Sequence, residues 1–321
     1  MKKIQFMTVL ILFFCILNPV YSEQTKKIKK VRYPVVIEDD YGQKTGVNRK
    51  ITLKKPAATI VVGEIGCALA LLRMGLKDKI IGASGWVLEE VPGLSGIPSI
   101  GGHNGIDIEL LIALSPDIYI DFKGHSDAAA AQLKNAGIQM YSVGTVRNLE
   151  HIIEHITEYG MMFNKMKEAY KITDEIDKTI MQVKKKVLKI NTAHDNKPAV
   201  FMFGYMGDKN TLQNWSPAGN TIIEDLIIKA GGRCLTAEQG LIGWPQYSIE
   251  SLLASDPDVI ILPRGKYEFQ SVEEFTSLEI VKSLKAVKNK RVYLIDKPLV
   301  FHMSYKNARA LSLFYDFING M

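Results

Sequence analysis

One segment of this sequence occurs twice. Ile108-Glu109-Leu110-Leu111-Ile112-Ala113-Leu114-Ser115-Pro116-Asp117-Ile118-Tyr119-Ile120 returns at a constant offset as Ile249-Glu250-Ser251-Leu252-Leu253-Ala254-Ser255-Asp256-Pro257-Asp258-Val259-Ile260-Ile261, with Glu, Leu, Ala, Pro and Asp in register. A repeat constrains the fold more than a lone motif does, because both copies have to build the same supersecondary unit. Each copy reads as a short amphipathic helix, stopped at a Pro-Asp turn and followed by a β-branched apolar strand. Such a strand is buried on both faces, as in a parallel sheet. The flanks repeat more loosely. Upstream, a strand at Ile60-Val61-Val62-Gly63 and a helix from Cys67, ending at Met74-Gly75, match a strand at Ala199 to Phe203 and a helix from Thr221, ending at Ala230-Gly231-Gly232. Downstream, Met140 to Val143 matches Lys290 to Ile295. Each half runs strand, helix, strand, helix, strand, the alternation of a doubly wound sheet with right-handed crossovers. The expected fold class is α/β, with two Rossmann-like lobes built on central sheets rich in parallel strands.

Ile152 to Ile190, between the halves, holds no proline and one glycine, Gly160. Ile172, Ile176, Ile180, Val183 and Val187 fall at helical spacing. The segment reads as one or two long helices, the later part forming a single stiff α-helix that joins the lobes and permits modest rocking. The expected boundaries are a leader at 1–22, an N-terminal lobe at 23–160, the linking helix at 161–192 and a C-terminal lobe at 193–321. A length of 321 residues suffices for two such cores.

The leader reads as a signal peptide. Lys2-Lys3 precedes an apolar run from Phe6 to Leu17, and Val20-Tyr21-Ser22 offers small residues before a cut near Ser22/Glu23. Phe13-Phe14 is a poor approach to Cys15, which argues against a lipid anchor there. The expected location is the periplasm. A formal net charge of +6, spread along the chain, does not suggest nucleic acid. Cys67 and Cys234 fall in different lobes, so they read as two buried free thiols, although an exported protein has the option of pairing them.

These features together resemble the class III, or helical-backbone, periplasmic substrate-binding proteins of ABC importers, the family that carries iron-siderophores, haem and cobalamin. The resemblance rests on Val35 to Gln43 as an opening strand and hairpin, and Lys54 to Val61 leading into the first core strand. It rests further on Ile100-Gly101-Gly102 before Ile108 to Leu111 with Pro116-Asp117, and on Ala230-Gly231-Gly232 with Ser248-Ile249-Glu250 and Pro257-Asp258. It implies a monomer that binds a small-molecule metal complex between its lobes and docks on a permease dimer in the inner membrane. The docking residues it implies are Glu109 and Glu250. The repeat supports them independently, since a pseudo-twofold protein meeting a twofold partner presents equivalent charges from both halves. Both are also ordinary helix-start glutamates, favoured by the local dipole.

In open α/β sheets, ligands bind at loops beyond the carboxyl ends of the strands. All three tryptophans, Trp86, Trp215 and Trp244, fall in such loops, as do His103, His125 and His302. Tyr205, Arg264, Lys266 and Tyr305 complete the candidate ligand site. Aromatic platforms with a few polar groups describe a small-molecule cleft. His103, in a Gly-rich turn, is the candidate metal ligand. Where this chain has His103 the haem-binding branch often carries a tyrosine, a departure that turns the reading away from haem. Arg264 and Lys266 suit an anionic ligand, or are plain surface cations. No cofactor is expected to be permanently bound; the transported ligand is expected to contain a metal, iron first.

Other readings stay open: a bare metal ion held by His103, His125 and His302, a nickel–histidine complex, a molybdate-type oxyanion, or a chelatase-like enzyme on the same architecture. No Gly-x-Ser-x-Gly elbow, P-loop, Gly-x-Gly-x-x-Gly after a strand or His-Glu-x-x-His is present. No catalysis is therefore expected.

Overall fold

The computed structural model describes residues 30–40, 49–102, 105–122, 127–190, 196–208, 212–266 and 268–320. The leader, Cys15 and the Ser22/Glu23 cut lie outside these residues. Among the described residues no helix is long and apolar enough to cross a membrane.

The first lobe is built on four parallel strands in the order Ile80–Ala83, Ile60–Val62, Ile118–Phe122, Gln139–Val143. The second has Arg233–Cys234, Ala199–Met202, Val259–Arg264, Val292–Asp296, again all parallel. Numbered along the chain within each lobe, both sheets have the order 2-1-3-4, so the duplicated text builds a duplicated topology.

The repeated helices, Ile108–Leu114 and Ile249–Ser255, match in their ends as well. Asp107 and Ser248 cap them by accepting N–H bonds from Leu110 and Ser251. Both stop at a left-handed residue, Ser115 with φ 48° and Asp256 with φ 41°. The aspartate of each Pro-Asp turn then fastens the next strand to its neighbour. Asp117 accepts from the N–H groups of Ala58 (2.6 Å) and Thr59 (3.0 Å), and Asp258 from Ala199 (2.8 Å). These bonds give the recurring Asp a structural cause: they satisfy backbone donors where a sheet begins.

Each sheet is apolar on both faces. Val61 and Tyr119 pack outward with Leu111 and Leu133, and Phe201, Ile260 and Leu262 do the same with Phe269 and Phe275 in the second lobe. The other two faces meet. Ile60, Val62, Ile118 and Ile120 belong to one cluster with Ile172, Ile176 and Val183 of the helix Met166–Ile190, and with Val200, Met202, Val259 and Ile261. This backbone helix has 25 residues, about 37 Å at 1.5 Å per residue. Because one core runs through it from lobe to lobe, wide opening would expose apolar surface, and small rocking is the motion the packing allows.

The linking segment is two helices, Leu149–Met162 and Met166–Ile190, broken at Asn164 with φ 55°. Gly160 does not cause the break. It lies inside the first helix, where an added Cβ would stand 2.6 Å from the Ala169 Cβ of the second. Glycine here lets the two helices touch. Gly160→Leu is expected to cost about 1–3 kcal/mol by overpacking, read as a lower denaturation midpoint. An unchanged midpoint would show that the helices are not in contact at this point. Cys67 and Cys234, one in each lobe, are buried and free.

Candidate functional site

A cleft of about 270 Å³ opens where the carboxyl ends of the first lobe's strands face a loop of the second. Gly63 and Glu64 follow the strand Ile60–Val62, Trp86 stands just past Ile80–Ala83, and Phe122 ends Ile118–Phe122. Phe301, His302 and Met303 close the cleft from the second lobe, at the end of the helix Lys297–Phe301.

Trp86 is held by its indole N–H, which donates to the Gly63 carbonyl at 2.9 Å. It lies in the helix Gly85–Glu90, whose exposed last residues, Glu89 and Glu90, also line the cleft. Glu64 caps the helix Ile65–Arg73 by accepting the N–H groups of Gly66 (2.7 Å) and Cys67 (2.5 Å). Burial pushes its pKa up against those two bonds. An added Cβ on Gly66 would lie 2.5 Å from the Met303 carbonyl oxygen, so the start of this helix rests directly on the opposite lobe.

A polar contact crosses the cleft: His302 Nε2 and a Glu90 carboxylate oxygen are 3.1 Å apart. His302 is 7% exposed and its Nδ1 has no hydrogen-bond partner among the described residues. Burial pushes the His302 pKa down, against the pull of the Glu90 carboxylate. The described lining thus carries three carboxylates, Glu64, Glu89 and Glu90, one imidazole, and neither lysine nor arginine.

Behind the cleft a buried polar cluster supports the first lobe. His155 Nε2 meets Asp40 at 2.8 Å, and the Tyr141 hydroxyl donates to Glu158. Burial pushes Glu158 up to about 7. Burial alone would lower His155, but the Asp40 bond and charge outweigh it and raise its pKa. In turn burial alone would raise Asp40, and the His155 contact with the Gly144 N–H holds it below the usual carboxylate value.

The structure brings together part of the site expected from sequence. Trp86 and His302 line the cleft. Trp244 stands behind its wall, with its ring centroid 5.4 Å from that of Phe301. Trp215 is 37% exposed on the strand Gln213–Trp215, whose backbone pairs with Tyr205 and Gln246. Arg264 is engaged with Asp296 at 2.5 Å and, with Tyr305, lines a separate larger cavity. Lys266 is exposed on the loop after Arg264. His103 and His125 lie outside the described residues, and among those described no three His, Cys, Asp or Glu side chains converge as a metal site. Glu89 and Glu90 were not anticipated. Their signal was helical spacing, which places residues three and four after Trp86 on its face.

Two lobes of identical strand order, sharing a core through a long helix and facing each other across an aromatic cleft, define a ligand-capture protein. A family model described as "Periplasmic binding protein" matches residues 60–299, and the chain belongs to that family. Members of this family are substrate-binding transport proteins that deliver small molecules to ABC permeases. An uncharacterized ABC transporter substrate-binding lipoprotein of Bacillus subtilis, YvrC, is 26% identical over 298 residues, which is 88% of this chain and 85% of the relative. A vitamin B12-binding protein of Photorhabdus laumondii is 24% identical over 204 residues, 63% of this chain and 69% of the relative. The fold matches a solved ABC-type Fe3+-hydroxamate transport protein of Saccharomonospora viridis with a TM-score of 0.68 at 18% identity, covering 89% of this chain and 99% of that one.

Proposed function

We propose that the chain is the exported substrate-binding component of an ABC importer and captures a metal chelate of zero or positive net charge, such as a corrinoid or a ferric hydroxamate. The observation that carries this reading is the cleft lining: aromatic and apolar walls from both lobes, three carboxylates, and no described cation. A trianionic ferric tris-catecholate or a small oxyanion would be repelled there, because like charges in a partly desolvated site are costly. The Photorhabdus and Saccharomonospora relatives, named for vitamin B12 and for Fe3+-hydroxamate, are consistent in class. A volume of about 270 Å³ lies below the ~300–1,000 Å³ of enclosed small-molecule sites. The described walls therefore grip one part of a large chelate. Glu109 and Glu250, both exposed at the second position of the repeated helices, are the proposed permease contacts.

Trp86 at the wall makes the test direct. Titration with cyanocobalamin, a ferric hydroxamate, a ferric tris-catecholate and molybdate is expected to quench indole emission with the first two only. Trp86→Ala is expected to weaken binding by at least about tenfold, the loss of one aromatic platform. Tight binding of the tris-catecholate, with none for the neutral chelates, would defeat the reading.

A further inference from the structure

The larger cavity, about 930 Å³, shares no lining residue with the cleft. Three parts of the molecule form it: Arg73, at the end of the first lobe's helix Ile65–Arg73; Glu175, on the backbone helix; and Arg264, Asp296, Lys306 and Arg309 of the second lobe. Its charges do not balance. Arg73 is paired with Glu175 at 2.5 Å, and Arg264 with Asp296 at 2.5 Å. Both carboxylates are thereby engaged, and no described carboxylate pairs with Lys306 or Arg309, which stand at the start of the helix Asn307–Asn319. Arg73 is fixed in the wall, its guanidinium 4.5 Å from the centroid of the Tyr305 ring. A concave surface with two uncompensated cations concentrates positive potential. The described walls of the cleft carry the opposite sign.

We propose that this cavity is a second binding site, for a small polyanion carrying two or three carboxylate or phosphate groups. Such a molecule would reach Lys306 and Arg309 with one group and Arg73 with another, bridging the two lobes beside the backbone helix. The volume falls within the ~300–1,000 Å³ of small-molecule sites. A ligand that touches both lobes binds only the assembled state and therefore raises its stability.

The test is calorimetric and thermal titration of the purified protein with citrate, against sodium chloride of equal ionic strength. Citrate is expected to bind and to raise the melting temperature, and sodium chloride is not. The Lys306→Gln/Arg309→Gln variant is expected to bind citrate at least about tenfold more weakly, while keeping the citrate-free melting temperature and cyanocobalamin quenching of the wild type. If the double variant melts early, the single Arg309→Gln variant, at an exposed position, takes its place. The proposal is overturned if citrate does not bind, if the variant binds it as well as the wild type, or if sodium chloride produces the same stabilisation.

Discussion

A variant carrying Glu109→Lys and Glu250→Lys is expected to bind its ligand with wild-type affinity and to support no uptake by cells. Neither glutamate lines the cleft. Each is exposed at the second position of a helix whose cap is supplied by another residue, Asp107 or Ser248. Reversal therefore leaves the fold and the cleft in place and changes only the charge the protein presents. In the proposed docking, a symmetric permease meets that charge twice, once from each lobe. Like charge placed against like opposes both steering and register. The measurement pairs ligand titration of purified protein with uptake in cells lacking the wild-type gene. Normal uptake by the double variant would remove these residues from the docking surface. Loss of binding in vitro would show that they act on the cleft instead.

The second large effect concerns pH. Glu158 carries a pKa of about 7 in the fold, against an ordinary 4.5, because burial disfavours its charge. Between those values the native state holds a proton that the unfolded chain has released, so stability falls as pH rises across the interval. A shift of this size corresponds to a loss on the order of 3 kcal/mol. His155, raised by Asp40, acts in the same direction: its contribution is complete below the ordinary histidine range and is lost as pH climbs through its raised value. Asp40, lowered by His155, contributes above the ordinary aspartate range and loses that contribution as pH falls. The three together place maximal stability near pH 5, with a decline toward pH 8. Glu158→Gln keeps an acceptor for the Tyr141 hydroxyl and removes the titration. Its melting temperature is expected to fall much less between pH 5 and pH 8 than that of the wild type. Parallel pH profiles for the two proteins would refute the assignment.

The fold was legible because its signals are local. The Pro-Asp turns, the β-branched strands and the helical spacing of Ile172, Ile176 and Val183 each depend on neighbours a few residues away, and the repeat doubled every one of them. The sequence left open whether this segment is one helix or two, and the break falls at Asn164. Gly160 is the obvious breaker by composition, yet the chain turns where a non-glycine residue takes a positive φ, and the glycine serves close helix contact instead. The site was legible in part. The rule that ligands lie beyond strand ends picked the loops of Trp86 and His302, and both residues line the cleft. It grouped Arg264 and Tyr305 with them, because loop membership does not say which way a side chain faces. Arg264 turns to Asp296, and Tyr305 lies beneath Arg73.

What the sequence determined by itself is the duplicated α/β unit, the helix between its copies and the family, all carried by spacing along the chain. What only the tertiary structure decided is the sorting of charge between two cavities. Glu64, Glu89 and Glu90 converge with His302 in one cavity, and Lys306 and Arg309 stand unmatched in the other. Residues up to 240 positions apart meet there, so the field at each cavity is a property of the assembled lobes; Coulomb energy depends on distance in space, to which order along the chain is no guide.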